Sequence, residues 1–351
     1  MTSKERVRLA LSKQKPDRVP AAFNAVGSVT KKLLKHYGLT NAQLMDKFEI
    51  DIYNTGAKYI GPELKNYVDD KGRKITSSYW GFEKTLHETE IDSYGITTRF
   101  PLKGLDTIEK IKENYTFPKA EWFDYSTITK FCEDNPDKAI SIGHPGPFQM
   151  VTNLMPMEDF FILMYDDPET AQYILDKMVE FELAHYEQCF IAGNGKIDIL
   201  RTCDDYGTQI SMLFSSEMWE EFFKENTQKL VNLAHKYGAF FQQHSCGAIR
   251  PIIPNLIECG VDALDPVQKV CGLEIDSLAK EFDGKLTFHG GVDTQWLLPN
   301  GTPEEVAKET THIINTLGKN GGYILMASQA FEPDVPIANI EAVYSVSRVP
   351  Q

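Results

Sequence analysis

His244 and Cys246 stand two residues apart at the end of an apolar run, in FFQQHSCG. In an extended chain, positions i and i+2 project from the same side, so the imidazole and the thiol aim at one point. A neutral imidazole and a thiolate are good Zn²⁺ ligands, and a catalytic zinc site takes about three protein ligands with one position open. The pair supplies two. Asp265 follows one helix and one strand later, at the neighbouring strand end, and is a candidate third ligand or catalytic carboxylate. The same spacing also suits a buried thiol and a hydrogen-bonded histidine that fill one side of a barrel.

A second centre lies in RTCDDYG, where Asp204 and Asp205 are adjacent. Two neighbouring carboxylates perturb each other's titration and can do general acid/base work. The alternative is that one of them caps the following turn. Further polar residues stand where apolar runs end: Asn24, Tyr53 with Asn54, His144, Cys203, Tyr206, Gln268, Asp293, and Ser328 with Gln329. Of these, Asn24, Tyr53, His144, Tyr206, Gln268, Asp293 and Gln329 are candidate substrate-binding residues.

The elements that must position these residues alternate. Apolar strand-like runs occupy residues 18–26, 49–57, 139–148, 197–207, 239–247, 261–268, 285–293 and 322–329. Amphipathic helices lie between them, with clear start and stop signals. Asp167-Pro168 opens one that ends at Gly193-Asn194-Gly195, Thr302-Pro303-Glu304-Glu305 opens another, and a third spans about 216–237. Eight strands alternating with helices predict a (β/α)8 barrel, an α/β fold with function at the C-terminal strand ends. No GxGxxG follows the first strand, which disfavours a dinucleotide-binding sheet. Residues 61–105 alternate in polarity and read as an inserted β-hairpin near the N-terminus, within a single domain over 1–351.

Composition excludes several classes. Apolar residues make 42% and charged residues 25% of 351, which is globular usage. The net charge of −14, with no basic cluster, argues against nucleic acid as a partner. The N-terminus lacks the apolar core of a signal peptide, and no run is long enough to span a membrane. Six cysteines scattered through a long chain indicate free thiols and a cytoplasmic protein. Cys132, Cys189 and Cys259 fall on helical stretches and belong to the core.

The motifs KPDRVP, WFDYS, DDYGTQ, HSCGAIRPIIPNLIECGVDALDPVQ, HGGVDTQWLLPNGTPEEV and GGYILMASQAFEPDVPIANI resemble those of the uroporphyrinogen decarboxylase superfamily along the whole chain. True decarboxylases of that group carry a basic N-terminal motif and an FSD-like motif. Here the corresponding stretches read AAFNAVGSV and FEIDIYNTG, without the arginine. The chain is more similar to the branch of methyltransferases that work with corrinoid proteins. That resemblance implies zinc on His244 and Cys246, with a later cysteine as third ligand. This chain has Gln329 there, a poor Zn²⁺ ligand. Either Asp265 completes an altered site, or the metal is bound weakly, or it is not bound.

The resemblance further implies methyl transfer between a small methylated substrate (a methoxyaromatic, a methylamine or a thiol) and the cobalamin-type corrinoid of a partner protein, with Asp204 or Asp205 moving the proton. The eight strands leave no room for a corrinoid domain of ~100 residues, so that cofactor is expected on another chain. Two other readings remain open: a metal-independent decarboxylase acting on a non-standard substrate, and a non-enzymatic corrinoid or small-ligand binding barrel.

Overall fold

Strands buried on both faces pair in parallel when helices carry the chain back between them. The computed structural model, which describes residues 1–89 and 93–346, follows that rule. Seven strands form one parallel sheet in chain order: β1 Ile52–Asn54, β2 Ala139–Pro145, β3 Ile197–Cys203, β4 Phe240–His244, β5 Ala263–Asp265, β6 Thr287–His289 and β7 Tyr323–Ile324. Residues 20–22 take the eighth place. The Ala22 N–H donates to the Leu325 carbonyl (2.9 Å), the Leu325 N–H to Pro20 (2.8 Å), and the Asp51 N–H to Ala21 (2.8 Å). These bonds join the β7 edge to the β1 edge, so the eight staves expected from sequence close into a (β/α)8 barrel.

Alternation sorts the side chains. Leu200, Phe241, Leu264 and Phe288 face the helices and belong to the large outer core. Ile52, Ala139, Ile199, Ala263 and Ile324 face inward at the N-terminal end of the barrel, and Val7 and Leu11 of the helix Ser3–Leu11 plug them from below. That helix is held by charge as well. Arg6 Nη1 donates to Asp51 Oδ1 (2.8 Å), Arg18 Nη1 to Asp51 Oδ2 (2.8 Å), and Lys4 Nζ to Asp198 Oδ2 (2.9 Å). The arginine of KPDRVP is therefore spent on closing the bottom of the barrel.

Helix boundaries follow the expected caps. Thr302 with Glu305 forms a capping box, and Asp167 caps the helix Pro168–Gly193; Thr2 with Glu5 forms a second capping box at the N-terminal helix. The helix expected over 216–237 is two, Ser216–Phe222 and Lys224–Lys236. The break at Phe223 lets consecutive phenylalanines, Phe222 and Phe223, both bury. Cys132, Cys189 and Cys259 are buried and free, as expected.

The expected hairpin, Glu83–Glu88 paired with Ser93–Arg99, is extended by Lys74–Ser77 and Tyr67–Val68 into a four-stranded antiparallel sheet. Trp80 anchors it edge-on against Phe181 at 5.2 Å, and Thr97 Oγ1 donates to Asn153 Oδ1 (2.6 Å) on the helix after β2. Among the described residues, no helix is long and apolar enough to cross a membrane.

Candidate active site at the barrel mouth

The inward positions of β3, β4 and β5 change from apolar to polar toward their C-terminal ends: Ile199, Arg201, Cys203; Phe240, Gln242, His244; Ala263, Asp265. Register brings them level, with His244 beside Cys203 on one side and Asp265 on the other. Asp265 is the hub. It is buried, and it accepts from Arg201 Nε (3.3 Å) and Nη2 (2.9 Å), Gln242 Nε2 (2.7 Å) and His244 Nδ1 (2.7 Å). Burial works against its charge, but the Arg201 guanidinium and the hydrogen-bonded His244 together outweigh that cost, so the Asp265 carboxyl lies well below the usual range. Arg201 Nη2 and His244 Nδ1 both crowd Asp265 Oδ2 and so stand 2.6 Å apart.

An ionised carboxylate only accepts, so His244 carries its proton on Nδ1 and turns the Nε2 lone pair away from Asp265. Nε2 lies 3.5 Å from Cys246 Sγ and 3.5 Å from Asp205 Oδ1. The Cys246 N–H donates to Asp205 Oδ1 (2.8 Å), and Gln329 Nε2 donates to Cys246 Sγ (3.2 Å). Cys203 joins the cluster: ligand atoms of Cys203, Asp205 and His244 all lie within 4.8 Å of one another. Burial pushes the Cys246 thiol up to about 12 and Asp205 adds to it; Cys203 is raised for the same two reasons. A divalent cation among these groups reverses that logic, because it favours thiolates.

The residues present fit zinc. Ligand atoms around a tetrahedral Zn²⁺ stand about 3.5 Å from one another, as His244 Nε2 does from Cys246 and Asp205. The carboxylate on the far ring nitrogen is the usual brace of a metal-bound histidine. His244, Cys246 and Cys203 are the groups that would hold the ion, with the fourth position open to substrate and Asp205 beside it.

The sequence-derived candidates divide. Asp265 is not placed as a third ligand: it is occupied by four donors and touches the wrong nitrogen of His244. Asp204 and Asp205 separate completely. Asp205 faces the cluster, whereas Asp204 is buried, accepts the Gln149 N–H (2.8 Å) and the Tyr206 hydroxyl (3.1 Å), and caps the helix Pro147–Leu154. Burial pushes its carboxyl up to about 7.

Tyr206 does not reach the mouth. It is buried among Phe148, Phe214, Trp219 and Phe223, because it follows the strand into the helix layer. Tyr53 points outward beneath Lys138, while its neighbour Asn54 points in. Asp293 accepts three backbone N–H groups, from Gln295, Trp296 and Leu297, and so caps the helix Leu297–Asn300. Gln268 Oε1 accepts the Gly247 N–H (2.8 Å) and braces the loop after Cys246. Asn24 lines the barrel cavity, and His144 lies on β2 with its side chain outside the described part of the structure.

That cavity, of about 210 Å³, sits inside the mouth next to the cluster, and Asn24, Asn54, Arg201, Gln242, Asp265 and His289 line it. No residue of the 61–105 insert contributes among those described. No motif or spacing in the sequence singles out Arg201, Gln242 and His289. The available signal was a polar residue breaking the inward-facing half of an apolar strand, as Arg201 does in IDILRTC.

A closed (β/α)8 barrel with a polar, histidine- and cysteine-bearing mouth is the architecture of an enzyme. The family model described as uroporphyrinogen decarboxylase (URO-D) matches residues 100–348, and the chain belongs to that family. The methylcobamide:CoM methyltransferase MtbA of Methanosarcina mazei is 21% identical over 350 residues, which cover 99% of this chain and 98% of that protein. Its counterpart from Methanosarcina acetivorans is 21% identical over 317 residues, covering 90% and 89%. A uroporphyrinogen decarboxylase of Pseudomonas savastanoi pv. phaseolicola is 22% identical over 198 residues, covering 53% of this chain and 51% of its own. Among solved structures, a methyltransferase from Methanosarcina mazei superposes with a TM-score of 0.68 at 17% identity, covering 99% of this chain and 98% of that one, which supports the fold.

Proposed function

We propose that this chain transfers a methyl group between a small methylated substrate and the corrinoid of a partner protein. The observation that carries the reading is the convergence of Cys203, Asp205 and His244 at the barrel mouth, with Cys246 Sγ 3.5 Å from His244 Nε2. The end-to-end similarity to methylcobamide:CoM methyltransferases supports it. Bound zinc supplies Lewis acidity, polarising the atom that gives up or receives the methyl group. The protein's own groups do the rest. Asp265 holds the His244 ring in place, and Arg201 in turn holds Asp265. Asp205, partly exposed beside the cluster, is the group positioned to take or return the substrate's proton. The cavity, whose wall includes the Asp265 that braces His244, holds the substrate, and the open mouth admits the corrinoid face of the partner. A reducing cytoplasm suits six free cysteines.

The test mixes the purified protein with a reduced corrinoid protein and methoxylated aromatics, methylamines or methylated thiols in turn. The absorbance of the corrinoid should change to that of its methylated form with one donor class, and only when this chain is present. Release of CO₂ from a carboxylated substrate without corrinoid would replace this reading with decarboxylation. Ligand binding with no turnover of any kind would replace it with a binding barrel.

A further inference from the structure

His289 ends β6, is buried, and has its Nδ1 2.8 Å from Gln242 Nε2. The Gln242 amide cannot be turned round, because Nε2 also lies 2.7 Å from Asp265 Oδ1 and a carboxylate only accepts. One amide hydrogen therefore goes to Asp265 and the other to His289 Nδ1. An imidazole that accepts at Nδ1 carries its proton on Nε2. Burial keeps the ring neutral, lowering it to about 4. The polarity of these bonds leaves His289 one free donor, its Nε2–H. That atom is buried and has no partner among the described residues, on a side chain that lines the 210 Å³ cavity. Buried donors are seldom left unpaired, so something brought into the cavity accepts from it.

The same wall says what kind of molecule that is. Arg201 commits Nε and Nη2 to Asp265, and Nη1 has no partner among the described residues. Arg201 also lines the cavity, and its charge is already balanced by Asp265, so no net positive charge awaits an anion. Ile52, Phe23 and Met326 supply an apolar wall. A cavity of about 150 Å³ holds benzene, so this one takes a single ring with a small substituent. We infer that the cavity binds an uncharged, ring-sized molecule through a carbonyl, ether or phenol oxygen that accepts the Nε2–H of His289. Identifying this molecule with the methyl donor rests on the reading above; the binding itself does not.

The full chain is titrated calorimetrically with acetophenone, ethylbenzene and benzoate, which share a ring but differ in acceptor and charge. Acetophenone should bind at least about tenfold more tightly than either of the others. His289→Leu should bring acetophenone down to the level of ethylbenzene while leaving ethylbenzene within twofold of its original affinity. In the unaltered protein with ¹⁵N-labelled histidine, the His289 Nε2–H proton should move downfield with acetophenone and stay put with ethylbenzene, a readout that does not depend on the variant folding. Equal affinity for acetophenone and ethylbenzene, tighter binding of benzoate, an unmoved proton, or no binding of any probe at millimolar concentration would each overturn the inference. Intact acetophenone binding alongside failure of every methyl donor in the corrinoid assay would instead remove the methyl-transfer reading and leave the cavity assignment standing.

Discussion

Replacing Asp265 by asparagine probes the hub of the site. The carboxylate serves four donors from three residues. Asparagine keeps one acceptor oxygen, so its amide nitrogen must face either the Arg201 Nη2 and His244 pair or the Gln242 and Arg201 Nε pair. Either orientation sets donor against donor and leaves Arg201 uncompensated. Breaking a buried ion pair from one side costs about 3–5 kcal/mol. Arg201 keeps 34% of its side chain accessible, which places the expected loss near the lower end, about 3 kcal/mol.

The His244 ring also loses its brace, for which about 10–100-fold in zinc affinity is expected. Urea unfolding gives the first quantity, and competition with a chromophoric chelator gives the second. The pH sign can be checked in the same experiment. The folded-state pKa of Asp265 is depressed, so its contribution is fully present above the ordinary 3.8 and is lost only as pH falls through the lower folded value. Asp265→Asn should therefore cost the same at pH 5 and pH 7, with the gap narrowing only below about pH 4. A variant within about 1 kcal/mol of the parent that binds zinc equally well would refute the hub argument.

Cys203→Ala and Cys246→Ala should each weaken zinc by at least about 100-fold with the barrel still folded; full occupancy in either variant would remove that cysteine from the site. Gln329→Cys should tighten zinc, because Gln329 already touches Cys246 Sγ and a thiolate there is a softer ligand; a fall in affinity on chelator titration would show the glutamine to be a ligand itself. Asp205→Asn should lower methyl transfer by about two to four orders of magnitude, whereas Asp204→Asn should turn over near normally; the reverse pattern in steady-state rates would exchange their roles. Asp204, raised to about 7 by burial, binds its proton more tightly folded than unfolded, so it makes stability fall as pH rises from about 4 to 7. Asp204→Asn should flatten that slope in urea midpoints, and an unchanged slope would assign it to another group.

The barrel was legible in the sequence because its signals are local. Alternation within IDILRTC or FFQQHSCG depends only on the extended chain, and the caps at Thr2, Asp167 and Thr302 lie within one turn of the helices they start. The same period of two made His244 and Cys246 share a direction before any fold was known. What the sequence could not decide was register. Cys203 meets His244 because β3 pairs with β4 at that pair of residues, and Asp265 lands on Nδ1 because β5 flanks β4 at the same level. Asp204 and Asp205, adjacent in the chain, part just after the strand ends at Cys203, one carboxylate turning under a helix and the other to the mouth. Asp293, Gln268 and Tyr206 looked like site residues because caps, braces and buried hydroxyls use the same polar side chains as catalysis. Arg201 and His289 looked like nothing, since a polar residue inside an apolar strand acquires meaning only from the residues facing it across the barrel. Direction along one strand is a property of the sequence; what stands opposite is a property of the closed sheet.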